Sequence, residues 1–164
     1  MEGQSKVNLQ NFEKISVEHQ KQYKNFLAKA DKKKVLKELP ELHEQAFEQI
    51  DCLKCAHCCK RYSPRFKQPD IKRISKVLQM KESALIEKYL RMDEEGDYVT
   101  QSLPCPFLGD DNRCSIYEDR PSDCKRFPYT DEDIILKRPR VTMINSSFCP
   151  IVVSVMEGLL EKIK

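Results

Sequence analysis

From about Leu9 to Ala30 the chain places Phe12, Ile15, His19, Tyr23, Phe26 or Leu27 and Ala30 at steps of three and four, the spacing of one helix face. The intervening positions are mostly Lys, Glu and Gln, so the opposite face is solvated. A second stripe runs through Leu36, Leu39, Leu42, Ala46, Phe47, Ile50 and Leu53, crossing Pro40, which either kinks one helix or starts a new one. Residues 1–50 thus read as a helical hairpin ending at the first cysteine. Such a hairpin serves either as a packing collar for the core that follows or as a docking surface for a partner protein.

Beyond the first cysteines, Pro69-Asp70 opens a helix carrying Ile71, Ile74, Val77 and Leu78. Ser83 stands near the start of another, with Ala84, Ile86, Tyr89 and Leu90. Two short segments read as strands, Tyr98-Val99-Thr100 and Ile134-Ile135-Leu136, enough for a short ribbon at most. In the last helix Cys149 is the cap and Pro150 the first helical residue, followed by Val152, Val155, Met156, Leu159 and Ile163. The pattern predicts a mainly α fold: a small single domain of short helices around a cysteine-ligated metal core, with the cysteine-cluster region spanning residues 51–164.

Composition narrows the function classes. The 164 residues are 40% hydrophobic with no Trp, a modest core that gains from additional cross-links. Twenty-nine basic and 26 acidic residues leave a net charge of +3, and the two signs are mixed along the chain, which argues against a nucleic-acid partner. No segment approaches the ~18 apolar residues of a membrane span, and the first residues lack the apolar stretch of a secretion signal. The expected compartment is therefore cytoplasmic, where eight cysteines are ligands or redox groups more readily than disulfides.

Four of those thiols, Cys52, Cys55, Cys58 and Cys59, fall within eight residues. Two-residue gaps let neighbouring sulfurs converge on one centre while the backbone between them offers donors. Adjacent side chains point in different directions, so Cys58 and Cys59 are expected to serve different ions or different corners of a cluster. With Cys105, Cys114, Cys124 and Cys149 the total reaches eight, the number that two tetrahedral four-sulfur sites require. Cys52, Cys55 and Cys58 also repeat bacterial ferredoxin spacing, with Cys105-Pro106 or Cys149-Pro150 available as the distant ligand. Zinc and iron, including an iron–sulfur cluster, both remain open at this point, as do one centre and two.

Cys149, at a helix N-terminus, is expected to have its thiol pKa lowered by the dipole. His57 lies inside the cluster and reads as a group supporting the ligands or as a surface residue, since eight sulfurs already suffice. Among the cations near cysteines, Arg120 stands out on a short turn before Pro121, where it could offset thiolate charge or pair with Asp119 or Asp123.

Taken together, Cys52 to Cys59, Cys105-Pro106-Phe107-Leu108 and the run from Cys114 through Ile116-Tyr117, Arg120-Pro121 and Cys124 to Phe127-Pro128 resemble a known family. It comprises the YkgJ-like cysteine-cluster proteins with a CxxCxxCC signature, described as zinc- or iron-chelating. The resemblance implies metal binding by the eight matched cysteines. Members often carry glycine inside the first cluster, where this chain has Ala56-His57, which keeps His57 available as a local ligand. Flagellin lysine N-methylases resemble the same cysteine domain, so the alternative is an enzyme or an enzyme accessory. Only Gly3, Gly96, Gly109 and Gly158 occur, too scattered for a nucleotide-cradling loop, which favours a structural or redox metal protein over a transferase.

Overall fold

The computed structural model describes residues 6–164. In chain order the described elements are α1 (Phe12–Lys29), α2 (Lys32–Gln49), α3 (Cys52–Cys55), α4 (His57–Arg61), β1 (Arg65–Phe66), α5 (Gln68–Val77), α6 (Glu82–Tyr89), β2 (Leu90–Met92) and β3 (Tyr98–Thr100). A short 3-10 turn (Tyr117–Asp119) follows, then α7 (Ser122–Arg126), α8 (Ile134–Lys137), α9 (Pro139–Ser146) and α10 (Pro150–Lys162). The fold is mainly α. It divides into two compact units, one made of Met1–Cys55 with Pro128–Lys164 and the other of Ala56–Phe127.

In the first unit α10 is the centre. Its sequence is apolar on nearly every side, and Ile151, Val152, Val153, Val155, Met156 and Leu159 are all buried. A helix without a polar face has to be surrounded, and α1, α2 and α9 pack against it. The expected helices at the N-terminus are present, yet each finds its main partner in α10. On α1 the buried face is Phe12, Ser16, Tyr23 and Leu27. On α2 it is Val35, Leu39, Leu42 and Ala46, while Leu36 and Phe47, both expected on the stripe, are exposed. Pro40 does not end α2, because it lies on the exposed side where water can replace the hydrogen bond it deletes.

Polar ties fix these helices in register. Tyr23 of α1 donates to Glu157 Oε1 of α10 at 2.5 Å, and His19 Nδ1 meets the same oxygen at 2.7 Å. Burial, then the Glu157 hydrogen bond and charge, drive the Tyr23 hydroxyl far above its ordinary pKa, so it stays a donor. Ser16 reaches Ser146 of α9 at 3.3 Å, and His43 of α2 bonds the buried Thr130 at 2.8 Å.

Residues 134–136, expected as a strand, form α8. The amides of Lys137 and Arg138 bond the carbonyls of Asp133 and Ile134 four residues back. A three-residue apolar run carries no period that separates helix from strand, and here only Ile135 is buried.

The second unit is built on a small antiparallel sheet of order β1-β3-β2, pairing Arg65 with Val99, Phe66 with Tyr98, and Leu90, Arg91 and Met92 with Thr100, Val99 and Tyr98. The expected strand at 98–100 is its middle; its two partners are too short to show alternation in sequence. Phe66, Ile71, Ile74, Leu85, Leu90, Phe107 and Ile116 form the core, with Cys105 and Cys114 against its border.

Asp70, buried in the first turn of α5, joins that helix to the segment before Cys124. Its carboxylate accepts from Arg73 (2.9 Å), from the Ser122 amide (3.1 Å) and hydroxyl (3.2 Å), and from the Lys67 amide (3.1 Å). Arg73 extends the tie to the carbonyls of Asp119 (3.2 Å) and Arg120 (3.0 Å). Burial alone would raise the Asp70 pKa, but Arg73 and these N–H and O–H donors outweigh it and hold the carboxyl below its ordinary value.

Two stability predictions follow from these contacts. A Cβ on Gly158 would lie 2.5 Å from Leu42 Cδ2, so Gly158→Val should lower unfolding free energy by about 2 kcal/mol in urea titration. Asp70→Asn should cost about 2–3 kcal/mol. Because the Asp70 pKa is depressed on folding, its contribution is present above the unfolded carboxyl value of about 3.9 and lost as pH falls through the lower folded value. The wild-type advantage over Asp70→Asn should therefore shrink in acid, as read from unfolding midpoints at several pH values.

Candidate metal centre

All eight cysteines lie within the described residues, and none is joined in a disulfide. Cys149 is buried, Cys52 is exposed and the other six are partly buried. The thiols fall into groups that follow the two units.

In the first unit Asp51 begins α3, its side chain accepting from the Leu53 amide at 2.9 Å and its carbonyl from the Cys55 amide at 3.0 Å. This turn carries Cys52 and Cys55, and Cys149 comes to it from the N-cap of α10. The helix N-terminus was expected to lower the Cys149 pKa, and the Val152 and Ile151 amides do favour the thiolate. Burial outweighs them and, with the nearby charges of Cys52 and Cys55 adding to it, pushes the thiol up to about 12. The dipole acts, but in a site this dry a sulfur remains protonated until a cation neutralises it.

Ala56, which separates α3 from α4, is in the left-handed region at φ 50°, as a non-glycine residue seldom is. His57 sits, partly buried, in the first turn of α4.

In the second unit α4 carries Cys58 and Cys59. The Cys58 thiol bonds the Cys59 sulfur, and this contact, against the opposing effect of burial, lowers the Cys59 pKa. The two adjacent thiols are thus within hydrogen-bonding reach of each other. The Cys105 amide donates to the Cys59 carbonyl at 2.7 Å. Cys105 and Cys114 flank a tight hairpin closed by the Leu108–Cys114 bridge and the Ser115-to-Phe107 bond at 2.8 Å. Burial drives the Cys105 thiol up to about 11, opposed by the Phe107 and Leu108 amides and reinforced by Cys59 and Cys114. Cys114 and Cys124 are raised first by burial as well, and Cys124 then by Cys105 and Cys59.

Arg120 lies over the Tyr117 ring at 4.0 Å and donates to the Tyr117 carbonyl at 2.6 Å. Its charge favours the Cys114 thiolate, though burial outweighs it. Asp123, buried beside Cys124, accepts from the Tyr62 hydroxyl and from the Arg65 amide at 3.1 Å, with the Arg65 guanidinium 3.8 Å away. Sequence reasoning missed Asp70, Arg73 and Tyr62 as supports of the site. Their partners lie 46–61 residues away, and no local pattern marks them.

Among the described residues no three His, Cys, Asp or Glu side chains converge as they stand on a point that would hold an ion. The donor chemistry nonetheless fits a thiophilic cation. Reduced sulfurs are gathered where burial first, and neighbouring sulfurs after it, make Cys105, Cys124 and Cys149 harder to ionise, backbone N–H groups are aimed at Cys105 and Cys149, and a cation would favour the thiolate form.

Fold and site thus define a mainly helical protein organised around clustered thiols. Residues 51–150 match the model of the CxxCxxCC family, described as "Putative zinc- or iron-chelating domain", and the chain belongs to that family. No curated protein and no solved structure matches it. No single helix among the described residues is long and apolar enough to cross a membrane.

The Ala56 turn provides a direct test. Ala56→Gly should leave stability unchanged or raise it by up to about 1 kcal/mol, since glycine removes the left-handed penalty. Ala56→Val should lower it by about 1–3 kcal/mol, read from denaturant midpoints, because a β-branched residue tolerates positive φ poorly.

Proposed function

We propose that this protein is a metal–thiolate protein in which Cys52, Cys55, Cys58, Cys59, Cys105, Cys114, Cys124 and Cys149 hold zinc or iron and the metal completes the fold. The observation that carries this reading is the state of the thiols: eight cysteines, none in a disulfide, all but Cys52 at least partly withdrawn from water. Buried cysteines kept only for packing have no reason to gather, whereas metal ligands must. A donor set dominated by sulfur suits zinc, or iron held singly or in an iron–sulfur cluster, and suits magnesium and calcium poorly.

The role that follows is structural or redox. Short helices such as α3, α4 and α7 are below the length at which a helix is stable by itself. A metal cross-link would add to the hydrogen bonds that position them. A structural zinc ion contributes on the order of 10 kcal/mol of apparent folding free energy.

Elemental analysis for zinc, iron and acid-labile sulfide, on protein purified without oxygen or chelators, tests the reading. Zinc without sulfide would make the protein a structural scaffold. Iron with sulfide and a visible absorbance bleached reversibly by dithionite would make it a redox protein. Stripping the metal should lower the melting temperature sharply in either case; a protein that is stably folded with no bound metal would refute the proposal.

A further inference from the structure

Helix α2 carries two apolar rows, and packing against α10 uses one of them. Val35, Leu39, Leu42 and Ala46 form the buried row. Leu36, Pro40, His43 and Phe47 each follow a member of that row by one residue, so they form a second row about 100° further round the helix. Leu36 is 43% exposed and Phe47 37%; Pro40 is exposed as well, and His43 is partly covered. His43 Nδ1 meets the Thr130 hydroxyl at 2.8 Å, and the Phe47 ring lies against the imidazole with centroids 4.7 Å apart, so the second half of the row is held in place. Steps of four, three and four are the spacing with which one helix packs along another.

The charges beside this row are divided by sign. Lys33 and Lys37 flank its N-terminal half, and Glu44 and Glu48 flank its C-terminal half on the same side. All four are exposed, and none makes an ion pair among the described residues. Glu41, between them, is held by Lys162 of α10 at 2.9 Å, and Glu38 by the same ammonium at 3.0 Å. A row with lysines at one end and glutamates at the other complements itself when a copy is turned end for end. A two-fold axis across two antiparallel helices sets each flank against the same flank of the partner, so the lysine end of one meets the glutamate end of the other.

We infer that α2 pairs with α2 of a second copy of this chain, antiparallel about a two-fold axis. Leu36 lies against the partner's Phe47 and Pro40 against the partner's His43, while Lys33 and Lys37 stand opposite the partner's Glu48 and Glu44. An 18-residue helix offers less than the roughly 800 Å2 per partner of a standard interface, so the dimer is a weak, reversible one. The pairing uses no cysteine, and α2 precedes residues 51–150, the stretch that matches the family model.

Sedimentation equilibrium on the full chain, as purified with its metal and kept reduced, tests the pairing. A reversible monomer–dimer equilibrium that weakens as salt rises is expected. Leu36→Ser/Phe47→Ser should weaken it at least about tenfold with helix content unchanged. Lys33→Glu/Lys37→Glu and Glu44→Lys/Glu48→Lys should each weaken self-association by about tenfold or more, yet the two variants mixed should pair as tightly as wild type, because every lysine again faces a glutamate. Lys33→Glu and Glu48→Lys put charges where the helix dipole favours them, so weaker pairing would not reflect a lost helix. A chain monomeric up to about 1 mM would overturn self-pairing in favour of a helix from another protein. A dimer indifferent to the apolar double substitution, or charge variants that do not pair with each other, would overturn it as well.

Discussion

Thiols crowded together in partly dry surroundings resist ionisation, and that resistance is the constraint under which the rest of this structure operates. Burial raises Cys105 to about 11 and Cys149 to about 12, and neighbouring sulfurs push in the same direction. The amides of Phe107, Leu108, Ile151 and Val152 act the other way but do not win. A divalent cation would reverse the balance, because each thiol that bound it would give up its proton for a bond to the ion.

The protein part of the site is then a matter of holding short pieces of chain still. Neither α3, α4 nor α7 exceeds five residues, so none carries its own stability. Asp51 starts the first, the positive-φ turn at Ala56 starts the second, and Asp70 with Asp123 positions the third. These carboxylates are placed where several N–H and O–H donors meet each of them, which is the condition for keeping a buried charge. The long helices have a different task. The first unit surrounds α10, and α10 in turn presents Cys149 at its first turn. Placement of the cysteines in the second unit is thus governed by hydrogen bonds, and of Cys149 in the first by apolar packing around one helix.

Much of this was legible from residue order. The stripes that became α1, α2, α5 and α10 span many residues, so their period is unambiguous, and Cys149-Pro150 marked the start of α10 because capping chemistry is local. The group Cys52, Cys55, Cys58 and Cys59 stood out by density, and Cys105, Cys114, Cys124 and Cys149 by the count of eight and the family motifs. Elements of two to four residues were less readable: Ile134-Ile135-Leu136 is equally apolar as helix or strand, and β1 and β2 gave no alternation to detect. On α2, the choice of Val35 over Leu36 for the buried face depends on the exact phase presented to α10, to which sequence spacing is blind.

By itself the sequence determined the chemistry of the site, because cysteine identity and the family motifs are written residue by residue, and it determined the mainly helical character, because helix periodicity is set by local geometry. The tertiary structure decided which thiols are neighbours. The Cys105 amide, the 105–114 hairpin and the Asp70 and Asp123 ties bring the segments that carry Cys59, Cys105, Cys114 and Cys124 together across loops of tens of residues. Contacts of that range depend on the packed core that pins their two ends, and the order of residues between those ends leaves no trace of them.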